Sequence, residues 1–521
     1  MERDKLISRL NNQNPELDFI VIGGGATGLG IALDAVSRGY DVALFEQSDF
    51  TKSTSSRSTK LVHGGVRYLA QGDVKLVVEA LRERGLLLNN APHLCHNQPF
   101  IIPSYHGWEG PFYTTGLMMY DILAGSRSLG GSRYLSRNSV LTQLPTLKQE
   151  RLKGGTLYFD GQFDDSRLGI NLMQSILDRN AIAINYMQVQ KLEKDQNGKI
   201  CGVTVKDLIN GNSFKVMSKW VINAGGVFVD DIMSMDKSDH QPMVRPSQGV
   251  HITLPKEFLP GDVALMIPKT DDGRVLFAVP WLGKVIVGTT DTLVDRHTLE
   301  PRPLDAEIDF ILNTAGRYFH KAPQRRDILS VFAGLRPLAA PQKGDKNTKE
   351  ISRSHKILVS QSGLVTIVGG KWTTYRQMAQ DVVDRLESLI GDTPRRCITR
   401  NLKIHGYSES NDPTDPLSYY GSDELGIREL VLSDSTLAEP LSKNYPYIAA
   451  QVVWAVEREM AQHVEDVLAR RIRMLFLDAR ESIEMAPRVA EIMARELHKG
   501  KSWIETEINS YKALASNYII N

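Results

Sequence analysis

The clearest hydrophobic pattern in the chain lies near its start. Four apolar residues, Phe19 to Ile22, run directly into Gly23-Gly24-Gly25-Ala26-Thr27-Gly28. The mostly apolar segment Ile31 to Val36 follows at helical density, and then comes Asp41-Val42-Ala43-Leu44-Phe45-Glu46. This order predicts a buried strand, a glycine turn, a helix and a second buried strand ending in an acid. In such a unit Gly23 allows the tight turn, Gly25 lets backbone approach a pyrophosphate, and Gly28 lets the helix pack closely on the strand. The helix start at Ala26 and Thr27 offers N–H groups and a positive dipole end to phosphates. Glu46 stands where an acid accepts hydrogen bonds from adenosine ribose hydroxyls. That position disfavours NADP and leaves FAD or NAD.

Further on, residues 73 to 90 carry Val74, Val77, Val78, Leu81, Leu86 and Leu88 as the apolar positions of an amphipathic helix. Residues 91 to 165 are rich in Pro, Gly and aromatics and read as loops and edge strands. Within them the apolar segment Pro111 to Ala124 is expected to be a core helix. The alternative is a membrane-facing or quinone-facing surface, with Trp108, Tyr113 and Tyr120 at an interface. Asp164-Asp165 opens another helix, where capping is preferred over a metal or general-acid role. Val203 to Asp207 and Lys215 to Val221 alternate as a hairpin around Asn210-Gly211-Asn212, and Trp220 to Gly226 repeats the theme of strand then glycine turn. From 245 to 340 the short runs Gly249 to Leu254, Val263 to Pro268, Val275 to Pro280 and Val285 to Gly288 suit an antiparallel sheet flooring a substrate pocket. Residues 341 to 356 read as an exposed loop. Leu364 to Val368 leads into a second glycine turn, Gly369-Gly370-Lys371-Trp372-Thr373, that opens a helix. Beyond 396 the pattern is helical, from Ala449 through Val452, Val456, Met460 and Val464 to Leu468. Arg470, Arg471, Arg473 and Arg480 are expected on a solvated helix face, with acidic lipid as the alternative partner.

Composition narrows the classes. A chain of 521 residues is long enough for roughly three domains and a sizeable core. Its net charge of +1 gives no argument for nucleic acid as a partner. The three cysteines, Cys95, Cys201 and Cys397, are widely spaced, so a reducing compartment is favoured over a disulfide framework or a zinc cluster. No cluster has metal-ligand spacing, and no metal is expected. No apolar run approaches the roughly 18 residues of a spanning helix, and the charged start lacks an apolar signal core. A cytoplasmic protein, lying on the inner face of a membrane, is expected.

After Glu46 comes the hydroxyl-rich run Thr54-Ser55-Ser56-Arg57-Ser58-Thr59-Lys60, followed by Leu61-Val62-His63-Gly64-Gly65-Val66-Arg67-Tyr68-Leu69. Such a run usually marks a solvated loop. Just after a ribose-binding acid, it also supplies donors to a pyrophosphate, with His63-Gly64-Gly65 bringing backbone near a flavin ring. The glycine fingerprint, the acid and T-S-S-x-S-x-K-L-x-H-G-G-x-R-Y-L together resemble the FAD-dependent glycerol-3-phosphate dehydrogenases, within the D-amino-acid-oxidase-like flavoproteins. Gln248-Gly249-Val250-His251, Gly288-Thr289-Thr290-Asp291, Gly334-Leu335-Arg336-Pro337-Leu338 and the turn at Gly369 extend that resemblance along nearly the whole chain.

The resemblance implies an α/β fold in three parts. A Rossmann-like βαβ FAD-binding domain of the glutathione-reductase/D-amino-acid-oxidase type takes residues 1–90, 165–245 and 357–395. An antiparallel-sheet substrate domain takes 91–164 and 246–356, and an all-helical C-terminal domain takes 396–521. It implies FAD as cofactor, touched by Gly23, Gly25, Ala26, Thr27, Gly28, Glu46, Thr54, Ser55, Ser56, His63, Gly64, Gly65, Gly225, Asp291, Gly369, Gly370, Lys371, Trp372 and Thr373. It implies oxidation of glycerol 3-phosphate by hydride transfer from C2 to flavin N5, with a membrane quinone as electron acceptor. His251, Arg336 and Lys371 would serve catalysis, and Arg67 and Tyr68 would join them around the substrate, the arginines clamping phosphate. Whether His251, Lys371 or a water is the base stays open. Peripheral membrane association is implied, and a homodimer is compatible. The competing readings are a glycerol-3-phosphate oxidase using oxygen and an amine or amino-acid oxidase of the same fold group.

Overall fold

The computed structural model describes residues 2–13, 16–66, 69, 72–271, 273–340, 355–391, 393–409, 412 and 415–520. Leu17–Ile22 forms the predicted first strand, five of its six residues buried. It lies parallel to Val42–Phe45 on one side and to Ser213–Asn223 on the other, and Val365–Val368 extends the parallel set. Strands covered on both faces read as continuous apolar runs, which is why these were legible. Ile22 stands level with both Phe45 and Asn223, and Asn223 pairs with Thr366. Four strands therefore end at one edge. There they release Gly23–Gly28, Glu46, Ala224–Gly226 and Gly369–Thr373, at the carboxyl edge where open parallel sheets bind ligands. The expected hairpin is present as Ile200–Asp207 against Ser213–Asn223.

A second, ten-stranded sheet stands beside the first. Val244–Pro255 pairs antiparallel with Ser330–Ala339 and with Lys284–Gly288, and Leu276–Trp281 and Ala264–Ile267 continue the sheet, as expected. The register sets Ser247 opposite Arg336 and His251 opposite both Phe332 and Gly288. Three motifs remote in sequence thus become neighbours. Residues 91 to 165 depart from the expectation of loops and edges. Cys95–Ser104 and Gly154–Phe163 are ten-residue strands inside the sheet. Their alternation is hidden by prolines and by buried polar side chains that find internal partners, such as Gln98 to Asp262 O at 2.7 Å and Gln162 to Pro280 O at 2.7 Å.

The apolar helix spans Glu109–Ala124. Gly110, Thr114, Leu117, Tyr120 and Ala124 face inward, so only one face belongs to the core. Phe112, Met118, Met119 and Ile122 face out. Asp164 caps its helix by accepting from Arg167 N at 3.0 Å, while Asp165 pairs with buried Lys60 at 2.7 Å.

The C-terminal part is helical, with Ala449–Glu459, Ala479–Glu496 and Lys501–Ala515 as its long helices. Its core runs into the second sheet through Trp281, Ile286 and Phe332. The expectation of a solvated arginine face is overturned, except at exposed Arg480. Arg470, Arg471 and Arg473 are at most 1% exposed. Arg470 and Arg471 grip Asp49 at 2.5 and 2.7 Å, and Arg473 reaches Asp164 at 2.7 Å. A buried guanidinium persists only when such carboxylates compensate its lost hydration.

Candidate active site

The carboxyl edge of the first sheet opens into a trough of three connected chambers. The outer one, about 190 Å³, is lined by Gly23, Gly25, Glu46, Thr54, Ser55 and Gly225. Glu46 accepts from Gly24 N at 2.6 Å and from Ser48 N at 2.8 Å. Burial raises its pKa, and those two amides oppose the rise. Gly28 lies below the chamber, and any Cβ there would overlap the Gly23 carbonyl oxygen. It serves helix–strand packing rather than ligand contact.

The middle chamber, about 290 Å³, joins the N-terminus of the Ala26–Ser37 helix to the second glycine turn. Its lining includes Ala26, Thr27, Gly369, Gly370, Lys371 and Thr373. The helix has no side-chain cap; Ala26 N donates to Ser55 Oγ of the hydroxyl run at 3.0 Å. Trp372 Nε1 donates to Ser55 O at 2.8 Å, and the indole thereby ties the glycine turn to the hydroxyl-rich segment. Thr54 is held likewise, donating to Leu335 O at 2.6 Å. Ser56 departs from expectation. It is fully buried, with its hydroxyl turned to the Lys52 and Ser53 carbonyls and away from the trough.

The inner chamber, about 190 Å³, lies beyond His63 and Arg336, which line it and the middle chamber alike. Arg336 Nη2 donates to Thr289 Oγ1 at 3.0 Å and Thr290 O at 3.1 Å, and Nη1 stands 3.5 Å from Asp291. The guanidinium lies across Gly249, where a Cβ would displace it. Asp291, expected on the cofactor, lines this inner chamber instead and accepts from Ser247 Oγ. Gly65 also lines it, whereas Gly64 sits behind, donating its N–H to Tyr120 OH at 2.7 Å. Tyr120 in turn donates to Asp160, which Arg84 holds at 2.8 Å. Arg67 and Tyr68 lie outside the described residues.

His251 borders the middle chamber at 2% exposure. Its ring stacks on Phe332 at 5.1 Å, and Nε2 is 2.8 Å from Thr59 Oγ1. Burial, then the Arg336 and Lys60 charges, push its pKa well below the ordinary value and so favour the neutral imidazole. Two lining residues were not anticipated. Arg274 lines the inner chamber as the second arginine, its guanidinium 5.5 Å from the Phe310 ring centre, yet in Asp271-Asp272-Gly273-Arg274 it reads as part of a solvated turn. Thr59 lines both chambers, and inside a run of hydroxyls nothing singled it out.

These features fit FAD. An acid stands at one end, an uncapped helix start with hydroxyls in the middle, and a glycine turn with a lysine at the other end, where the chamber meets a second pocket. Comparison with known proteins agrees. Residues 18–376 match the family described as FAD dependent oxidoreductase, and residues 362–503 match the C-terminal domain of alpha-glycerophosphate oxidase. The chain is 39% identical to a probable mitochondrial glycerol-3-phosphate dehydrogenase of Caenorhabditis elegans, covering 100% of this chain and 77% of the relative. It is also 39% identical to mitochondrial glycerol-3-phosphate dehydrogenase of Mus musculus, covering 95% and 72%. Among solved structures, glycerol-3-phosphate dehydrogenase from Bacillus halodurans, complexed with FAD, superposes with a TM-score of 0.81 at 30% identity, covering 100% of this chain and 98% of that one. A trough built for FAD and this degree of likeness along the whole chain together make the protein a member of the FAD-dependent oxidoreductases and, within them, of the glycerol-3-phosphate dehydrogenase family.

Proposed function

We propose that the protein oxidises sn-glycerol 3-phosphate to dihydroxyacetone phosphate and passes the electrons to a membrane quinone. The observation that carries this reading is the pair Arg336 and Arg274 lining one inner chamber that opens onto the glycine-turn cleft. Two guanidiniums suit a phosphate dianion, and an amine or amino-acid substrate would have no use for both. Bound FAD supplies the acceptor for the C2 hydride. Arg336, Arg274, Arg67 and Tyr68 hold the phosphate and turn C2 toward the middle chamber. His251 serves as the proton acceptor, and Lys371 supplies positive charge beside the Gly369–Gly370 turn. In this reading residues 1–90, 165–245 and 357–395 hold the cofactor, 91–164 and 246–356 shape the substrate chamber, and 396–521 brace both.

The quinone side of the reading is supported by the Glu109–Ala124 helix. Trp108, Phe112, Met119 and Ile122 form one stripe at helical spacing and are 55–77% exposed. Such a stripe on a helix that also buries its opposite face suits insertion into the headgroup region of a bilayer. Among the described residues no helix is long and apolar enough to cross a membrane, so the proposed association is peripheral. Three free cysteines suit a reducing compartment, and the inner face of the cytoplasmic membrane is the proposed place. The worm and mouse relatives named above are mitochondrial by name. A homodimer is compatible with this arrangement. The match of residues 362–503 to a glycerophosphate oxidase domain favours a second reading, in which oxygen is the acceptor.

Anaerobic titration with glycerol 3-phosphate tests the proposal. The expected result is a yellow protein whose flavin bleaches and is reoxidised by quinone faster than by oxygen. Bleaching by glycine, sarcosine or D-amino acids but not by glycerol 3-phosphate would overturn it. Rapid reoxidation by oxygen alone would select the oxidase.

A further inference from the structure

Of the two ring nitrogens of His251, one is buried and the other is engaged by Thr59. The Nδ1 atom is buried and has no hydrogen-bond partner among the described residues. The Nε2 atom is covered by the Thr59 hydroxyl at 2.8 Å. One ring face lies on Phe332, and the other edge crowds Gly288, where a Cβ would strike the imidazole. A substrate alcohol turned toward the middle chamber finds Nε2 already engaged by the Thr59 hydroxyl. Thr59 is half-buried, lies within hydrogen-bond distance of His251, and lines both the inner chamber and the middle chamber.

We propose that Thr59 is a catalytic residue that relays the substrate's alcohol proton to His251. The step balances in three transfers. The C2–H bond breaks, and its hydrogen leaves with both electrons for the bound flavin. The alcohol O–H proton passes to Thr59 Oγ1 while the Thr59 proton passes to His251 Nε2, and the C2–O bond becomes a carbonyl. Thr59 ends as it began, a hydroxyl, and His251 carries the additional proton. The relay requires that resting His251 accept at Nε2 and carry its hydrogen on Nδ1.

The geometry also accounts for why phosphate and chemistry belong together in this site. Lys60 Nζ lies beneath the same aromatic cluster, 5.7 Å from the Phe332 ring centre on which His251 stacks, and Arg336 borders the same chamber. Both cations oppose a charged imidazolium. Lys60 is already paired with Asp165. A phosphate dianion on Arg336 reduces the remaining opposition when the substrate is in place.

This inference rests on the functional reading above, and its test separates the two. Thr59→Val keeps the shape and removes the hydroxyl; Thr59→Ser restores it. In the FAD-loaded protein, Thr59→Val is expected to slow anaerobic flavin reduction by glycerol 3-phosphate about 10²-fold, the usual scale of lost proton transfer. Affinity for the product, dihydroxyacetone phosphate, measured by equilibrium binding to the oxidised protein, should stay within about threefold, and Thr59→Ser should recover most of the rate. Independently of turnover, selective ¹⁵N-histidine spectra of the substrate-free protein, assigned with His251→Gln, should show the Nδ1–H tautomer. A parent protein that bleaches while Thr59→Val bleaches equally fast overturns the relay alone. So does a Thr59→Ser variant as slow as Thr59→Val, or a proton found on Nε2. A parent that glycerol 3-phosphate leaves oxidised overturns the functional reading and the relay with it.

Discussion

Replacing Arg336 by alanine removes the guanidinium that stands between the inner and middle chambers. In the parent its Nη2 is oriented by Thr289 and Thr290 at 3.0 and 3.1 Å, and Asp291 lies 3.5 Å from Nη1. The side chain is 27% exposed, so its charge is only partly screened. A phosphate held here gains one or two charge-assisted hydrogen bonds, each ~1.5–3 kcal/mol. Taking the low end for two bonds, because some solvent reaches the group, gives ~3 kcal/mol, or about 10²-fold in kcat/KM. Glycerol presents a like alcohol carbon without the phosphate, and it should lose little. The measurement is therefore a ratio: kcat/KM for glycerol 3-phosphate over that for glycerol, from anaerobic flavin reduction in parent and variant. The flavin spectrum and thermal midpoint serve as controls for folding. Arg336→Lys should recover part of the loss, since an ammonium keeps the charge but not the paired donors. A ratio within about threefold of the parent's would refute the phosphate grip. An equal fall for both substrates would place Arg336 at the reacting carbon instead.

Asp49→Asn should destabilise the protein by ~1.5–3 kcal/mol, because it takes the shared carboxylate from buried Arg470 and Arg471, which keep Glu465, Asp466 and Glu459; a shift of the first denaturant transition worth less than ~1 kcal/mol would sink that estimate. His405 lies between Asp178 at 2.7 Å and Asp423 at 3.0 Å; burial lowers its pKa, but the two carboxylates outweigh that and raise it to about 9. Its folded value exceeds the unfolded one of about 6.5, so the stabilisation is fully present below pH 6.5 and fades as pH rises through 9. The loss should be ~2 kcal/mol after discounting for the half-exposed Asp178. Thermal midpoints from pH 6 to 10 should fall more steeply for the parent than for His405→Asn, and parallel curves would count against the bridge. Finally, Phe112→Asp with Ile122→Asp should abolish sedimentation with anionic vesicles while leaving flavin content unchanged. Retained vesicle binding would move the membrane face elsewhere.

What the chain revealed alone was whatever depends on near neighbours. Gly23 to Gly28 must turn tightly because a helix follows a strand within a few residues, and Glu46 follows from the length of the unit. The short strands between 245 and 340 were legible because short apolar runs bounded by Gly, Pro and charged turn residues mark strands. Tertiary structure decided the rest. Arg471 and Asp49 are 422 positions apart, and only folding turns a basic stretch that reads as a wet surface into a buried clamp. Arg274 reads as a turn residue until the sheet carries it into the chamber with Arg336. The Glu109–Ala124 helix is apolar on nearly every side, so its sequence leaves open which face meets protein. Thr59 and His251, 192 positions apart, show no relation along the chain. Hydrophobic period and turn chemistry act over one or two turns of backbone. Burial, charge compensation and a proton's route depend on which distant side chain arrives within hydrogen-bond distance, and only the assembled fold determines that.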